Sequence, residues 1–338
     1  MVAGSERIRF VEGDERIPVE PLRPLSHGTV AILSGMPLDY PMATTFPFVH
    51  RIHAALSQGL LARGLNPFLM VGGANQASRA ANLQPVACVV LDDAFGLAPD
   101  YQAVLAPLMV RGIPLIVQSD RLPDTEAATL DLVRCDHRSG AAALTRLLAA
   151  RNRRRLIATF PEWLGATPQW IGEREQGIRE ACAALRLAPP SIIRLSQLIE
   201  VADPDLRFQR LVRVATGFLH EHLCGATPAD ALLIASDGEV APAATACRFL
   251  GRTPGSDLDL VGFDDYWRGI PERRYECYLP EASMDRDGTH VGLALAKLVA
   301  QRLAEPLTPA CLHLVQPRFV SCDQVEAPRA TDDDPHGP

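Results

Sequence analysis

The chain lacks any run approaching the roughly 18 consecutive apolar residues that a membrane-spanning helix requires, and its opening, MVAGSERIRFVEGDERIP, has no apolar centre of the kind a secretory signal carries. No membrane association is therefore expected, and the cytoplasm is the expected location. Paired cysteines are missing as well. The eight cysteines, Cys88, Cys135, Cys182, Cys224, Cys247, Cys277, Cys311 and Cys322, are scattered without a CxxC pair. In a reducing compartment they read as small buried hydrophobes, and neither a disulfide framework nor a metal site is expected. Excess positive charge is absent too. Lys plus Arg number 33 against 40 for Asp plus Glu, a net charge of -7, so the chain as a whole has no electrostatic footprint for nucleic acid. RNRRR, from Arg151 to Arg155, reads as the cationic end of a helix. Catalytic signatures are equally scarce. VGGANQ, from Val71 to Gln76, has neither GxGxxG nor the lysine of a phosphate loop, and no GxSxG nucleophile context occurs. His50 and His53 lie three apart on one helix but have no carboxylate or cysteine partner nearby in sequence. No cofactor, no metal and no enzymatic activity are expected.

What the chain does have is a regular alternation of apolar runs and helix-spaced segments. With 338 residues, 47% of them hydrophobic, it can build about two α/β lobes. Residues 1–27 are charged and carry Pro18, Pro21 and Pro24, which break helices, so they read as a flexible lead-in. From Thr29 onward, strands are expected at TVAIL, NPFLMV, VACVVLDD, IPLIVQSD, LDLVRCD, RRLIATF, SIIRLS and CLHLVQPRFV. Helical spacing is expected over 48–62, 101–110, 140–150, 171–185, 206–223 and 288–303. Strand and helix alternating at this spacing argue for parallel sheets covered by helices on both faces. The tail, 324–338, has no apolar periodicity and is expected to be disordered.

The most informative stretch runs from Ala231 to Asp265. ALLIA and LDLVGF are buried-strand runs, and Val240 to Leu250 between them has helical spacing that stops at Gly251. Ligands of open α/β sheets bind beyond the carboxyl ends of the strands, where Ser236, Asp237, Asp264 and Asp265 fall. Asp237 and Asp264 either face such a ligand or cap the next helix.

Taken together, 28–325 resembles the effector-binding core of the LacI/GalR family of bacterial transcriptional regulators, whose fold is that of periplasmic sugar-binding proteins. GTVAIL is similar to the first core strand, and FPFVHRIHAALSQGLLARGL to the first helix with its glycine turn. IPLIVQSDRLP resembles the strand that ends in an acidic residue before Arg, here Asp120 and Arg121, and CDHRSG the acidic strand end at Asp136. GEREQGIREA carries the Arg, two residues, Gly pattern at Arg174 and Gly177. IASDGEVAPAATACRFLGRTPGSDLDLVGFDD is the most recognisable segment, and PRFV resembles the last strand. The resemblance implies two Rossmann-like lobes with parallel sheets, joined by three crossovers, of the periplasmic-binding-protein-like type I. The lobes would be 28–154 plus 284–305 and 155–283 plus 306–323. It further implies a homodimer and a small polar effector, a sugar or related metabolite, held between the lobes by Phe48, Asp136, Arg174, Ser236, Asp237 and Asp264.

Chemistry gives those residues roles. The carboxylates of Asp136 and Asp264 can each accept two hydroxyl hydrogen bonds from adjacent carbons of a sugar, and Arg174 supplies a rigid donor fork or pairs on the surface with Glu173 or Glu175. Phe48 either packs on an apolar sugar face or belongs to the core. Departures from the family pattern are also visible. Ser236 stands where Asn is common, EASM replaces the Thr-rich segment, and Cys322 and Gln324 replace the usual Arg and Ser after the last strand. The segment from Gly72 to Pro85 is short, so a helix of the first lobe is expected to be stunted. LRPLSHGTVAIL resembles the segment just after the family's hinge, only about twenty residues precede it and prolines stand where helices would be needed, so the helix-turn-helix head is expected to be absent from this chain. Operator DNA is thus a partner only if such a head is supplied, and a stand-alone solute-binding or sensor protein is the alternative.

Overall fold

The computed structural model describes residues 10–12, 28–35, 47–91, 101–122, 130–162, 167–195 and 203–322. Two sheets organise them. The first contains β1 (Phe10–Glu12), β2 (Gly28–Ser34), β3 (Leu65–Val71), β4 (Ala87–Leu91), β5 (Leu115–Gln118), β6 (Asp131–Cys135) and β12 (Leu312–Val315). Their order is β1-β12-β6-β5-β4-β2-β3 and every pairing is parallel. The second contains β7 (Leu156–Pro161), β8 (Ser191–Leu195), β9 (Ala231–Ile234), β10 (Asp259–Phe263), β11 (Ala282–Asp285) and β13 (Arg318–Ser321), in the order β13-β11-β10-β9-β7-β8. Only β13 runs antiparallel. Strands such as β4, β9 and β10 are buried at every position, as their unbroken apolar runs require for a sheet covered on both faces.

Helices supply that cover. On one face of the first sheet lie α1 (Pro47–Leu61) and α8 (Gly288–Ala304), sharing a core of Ile52, Leu56, Val291, Leu295 and Val299. On the other lie α2 (Ala77–Leu83) and α3 (Tyr101–Val110). The second sheet is flanked by α4 (His137–Ala150) with α5 (Gln169–Ala184), and by α6 (Pro204–Leu223) with α7 (Val240–Phe249). The fold is thus α/β with two doubly covered, largely parallel sheets. The short helix expected between Gly72 and Pro85 is α2, seven residues preceded by a 3-10 turn at Gly73–Gln76.

Lobe boundaries differ from those expected. Helix α4 buries Ala141, Leu144 and Leu148 against Phe160, Ile171 and Ile178 of the second lobe, so the chain changes lobe at Asp136 and not near Arg154. It returns after Asp285, because β11 pairs in the second sheet while α8 packs on α1. The third change splits the run expected as one strand. Pro317 has no N–H to continue a ladder, and β12 on its N-terminal side joins the first sheet while β13 on the other joins the second. Residues 312–315 therefore belong with the first lobe. The lead-in also differs in part: Phe10–Glu12 pairs in parallel with β12 at the edge of the first sheet. The rest of 1–27 and the tail 324–338 lie outside the described residues.

The three crossovers are tied together. Asp136 caps α4 by accepting from Ser139 N at 2.9 Å, and its other oxygen accepts from Gln316 Nε2 at 2.9 Å. Asp285 Oδ2 accepts from Arg51 of α1 at 2.8 Å and from Arg318 of β13 at 2.7 Å, which joins a first-lobe helix to a second-lobe strand.

Candidate functional site

The carboxyl ends of β5, β9, β10 and β11 converge between the lobes and carry the polar residues that end those strands. Asp264, just beyond β10, adopts φ 94°, and Asp265 follows at φ 50°. Non-glycine residues in this left-handed region are uncommon and must be held by their surroundings. Here the hold is local: Asp264 N donates to Met284 O at 2.8 Å and Asp265 N to Ser283 Oγ at 3.1 Å. The turn aims the Asp264 carboxylate into the inter-lobe space.

Two guanidinium groups meet that carboxylate. Arg286 Nε lies 2.9 Å from Asp264 Oδ1, and Arg174 Nη2 lies 3.6 Å from the same oxygen. Ser236 Oγ donates to Asp264 Oδ2 at 3.2 Å and also bonds the Tyr266 hydroxyl, which accepts from Gly238 N at 3.0 Å. Arg174 is 2% exposed, so it is no surface residue paired with Glu173 or Glu175. Its guanidinium sits 3.7 Å from the Phe263 ring centroid and 4.7 Å from that of Trp170, its Nη1 donates to Ala235 O at 2.5 Å, and its Nε donates to His137 Nδ1 at 3.1 Å. The two rings and the hydrogen bonds from Nε and Nη1 fix its orientation and leave Nη2 turned toward Asp264.

The first lobe contributes Asp120. Its Oδ1 accepts from Cys135 N at 3.0 Å, and its Oδ2 lies 3.4 Å from His137 Nε2 and accepts from Arg286 Nη1 at 3.3 Å. Against the cost of burial, His137 and Arg286 hold its carboxyl well below the usual carboxylate range. His137 is pushed down to about 4, chiefly by burial and against the pull of Asp120, so its imidazole is neutral at pH 7. With Nδ1 accepting from Arg174, the proton sits on Nε2 and faces Asp120.

The lobes also touch directly beside this cluster. The first amides of α5, Gln169 N and Trp170 N, donate to Arg121 O at 3.4 Å and Asp120 O at 3.0 Å. Arg134 of β6 pairs with Glu173 of α5 at 2.5 Å and donates to Leu122 O at 3.1 Å.

Among the expected site residues, Phe48, Arg174, Ser236 and Asp264 come together. Phe48 belongs to the first-lobe core, 5% exposed, yet its ring also lies 3.8 Å below the Arg286 guanidinium. Asp136 sits at the crossover with one oxygen capping α4 and the other on Gln316. Asp237 is fully buried behind the strand ends, where Ser283 Oγ donates to its carboxylate at 2.9 Å and Tyr266 N at 3.1 Å. It packs on Gly262, where a Cβ would fall 2.1 Å from its Oδ1. Burial, reinforced by the Asp264 charge, pushes Asp237 well above the ordinary carboxylate range. It caps no helix through its side chain. Asp120, His137, Trp170, Tyr266 and Arg286 were not singled out as site residues. Asp120 could have been, as an acidic strand end before Arg121, whereas Arg286 carries no local signal beyond its place between β11 and α8.

No family model matches this sequence, and no curated protein does. Solved structures match the fold. A transcriptional regulator CelR in complex with cellobiose is similar at 20% identity, TM-score 0.62, over 89% of this chain and 85% of that one. A LacI family transcriptional regulator from Enterococcus faecium with bound ribose aligns at 14% identity and TM-score 0.60, over 87% and 97%. An ABC transporter solute binding protein from Agrobacterium vitis with bound allitol aligns at 16% identity and TM-score 0.61, over 87% and 95%. The chain thus shares the two-lobed fold of LacI-family regulators and of solute-binding proteins.

Proposed function

We propose that this chain is the effector-sensing core of a LacI-type transcriptional regulator that binds a small carbohydrate between its two lobes. The observation that carries this reading is the convergence of Asp264, Arg174, Ser236, Asp120 and Arg286 from both lobes on one inter-lobe point. A carboxylate held by guanidinium groups at a strand end is the chemistry that reads vicinal hydroxyls. An effector acts on such a core only as far as it binds one lobe arrangement better than the other. Regulation of operator DNA would come through a helix-turn-helix joined to this core or carried by a partner. The protein works in the cytoplasm as a homodimer. The edge strand β3 supports that pairing, since it exposes Phe68 and Val71, as does Phe249 at the end of α7, 73% exposed. The similarity to a transporter-type solute-binding protein supports a second reading, a sensor that uses the same cleft without touching DNA.

A thermal-shift screen over sugars, polyols, nucleosides and sugar phosphates tests the ligand class. A carbohydrate hit is expected, and Asp264→Asn should weaken it by about 1 to 3 kcal/mol, the scale of a lost charged hydrogen bond. Unchanged affinity in that variant refutes the site. Turnover of the bound sugar would instead point to an enzyme, and failure of the ligand-responsive protein to shift operator DNA would favour the second reading.

A further inference from the structure

Arg286 stands at the crossover between β11 and α8 and touches both lobes at once. Its guanidinium carbon lies 3.8 Å from the centroid of the Phe48 ring, its Nη1 donates to Asp120 Oδ2 at 3.3 Å, and its Nε faces Asp264 Oδ1 at 2.9 Å. Phe48 and Asp120 belong to the first lobe and Asp264 to the second. The Arg286 side chain is 19% exposed and covers a ring that is almost wholly buried. A cation seated on an aromatic face between two carboxylates is a complete binding arrangement in itself. In this chain the occupant is its own side chain.

Resting on the carbohydrate reading above, we propose that Arg286 is the specificity-determining residue of the cleft, an internal occupant that closes the Phe48 face to sugar rings and favours open-chain polyols. The apolar face of a pyranose gains from stacking only on a bare aromatic ring. Clearing Arg286 from Phe48 would strip the buried Asp120 and Asp264 of their shared cation, which is costly. A ring sugar offers no charge to replace it. An open-chain polyol needs no platform: its hydroxyls can turn one by one to the outer edges of Asp264, Ser236 and Arg286 while the guanidinium stays in place. The same side chain bridges the lobes, so its removal should loosen them in the ligand-free protein.

Isothermal titration of the full chain with a panel of hexitols and a panel of methyl hexopyranosides tests this, in the unaltered protein, in Arg286→Ala, and in Asp120→Asn/Arg286→Ala. The double variant removes the carboxylate charge that the single one leaves unpaired. The unaltered protein should bind its best hexitol at least tenfold more tightly than its best pyranoside, and that ratio should fall at least tenfold in the variants. The radius of gyration of the ligand-free variants in solution scattering should also rise. A preference for pyranosides in the unaltered protein, or a ratio that moves less than tenfold with an unchanged radius, overturns the role of Arg286 while leaving carbohydrate sensing intact. Absence of binding by every sugar and polyol to all three proteins overturns both.

Discussion

Glu239, at the start of α7, holds one carboxylate oxygen, Oε2, out of solvent without a hydrogen-bond partner. Burial raises its pKa from 4.5 to about 7, with Arg207 opposing and Asp264 adding to the rise. Between those values the unfolded chain releases a proton that the folded chain keeps, so stability falls as pH rises through that window. Glu239→Gln should therefore raise the urea midpoint at pH 8 and leave it unchanged at pH 4. His137 works in the opposite direction. Its folded value of about 4 lies below the ordinary 6.5, so the unfolded chain takes up the proton first and stability falls as pH drops across that range. A urea midpoint followed from pH 7 to pH 4 should decline less steeply in His137→Gln than in the unaltered protein. Neither shift is legible in sequence, because each arises chiefly from burial that only the packed fold creates, modified by neighbours distant along the chain: Asp120 opposes and Arg174 adds to the fall at His137, Arg207 opposes and Asp264 adds to the rise at Glu239.

Helices α4 and α5 press together closely enough that glycine is required at their contact. A Cβ at Gly177 would fall 2.1 Å from Arg138 O, a backbone atom that cannot move aside alone. Gly177→Ala should cost about 1 to 3 kcal/mol in urea unfolding, the range of overpacked cores. The same substitution at Gly172 on α5, where a Cβ meets nothing within 4 Å, should leave stability unchanged or improved. At this scale the sequence was highly legible. Apolar periodicity placed α3 at 101–110 as observed and α6 within two residues, because these elements bury one face against a sheet and their spacing records it. It was silent about the partner of each helix. Nothing in the run from Gly140 to Ala150 tells that α4 packs on the second sheet, since either sheet offers the same apolar face.

At the scale of the whole molecule, one direct contact between the lobes lies beside the cluster at Asp264. Arg134 is 2% exposed and pairs with Glu173 from the opposite lobe. Removing one member of a buried pair leaves the other uncompensated, at a cost of roughly 3 to 5 kcal/mol. Arg134→Met should lower the urea midpoint accordingly, and Arg134→Met/Glu173→Gln should recover part of the loss, with a double-mutant cycle giving the coupling. A purely additive cycle would mean that the pair does not join the lobes in solution.

The sequence by itself determined the class of fold and the strand ends at which the candidate site lies, because buried parallel strands must be apolar throughout and their ends must turn polar where they leave the sheet. It also carried the family likeness that named Arg174 and Asp264, which the structure brings within 3.6 Å of each other. Tertiary structure alone decided which acidic strand ends face the cleft. Asp264 turns inward on a left-handed backbone, Asp237 turns back into the core toward Ser283, and Asp136 is taken by α4 and Gln316. It alone brought Arg286 onto Phe48, across more than two hundred residues of chain. A strand end fixes where a side chain begins, and the atoms it meets belong to elements whose place is set only when both lobes have packed.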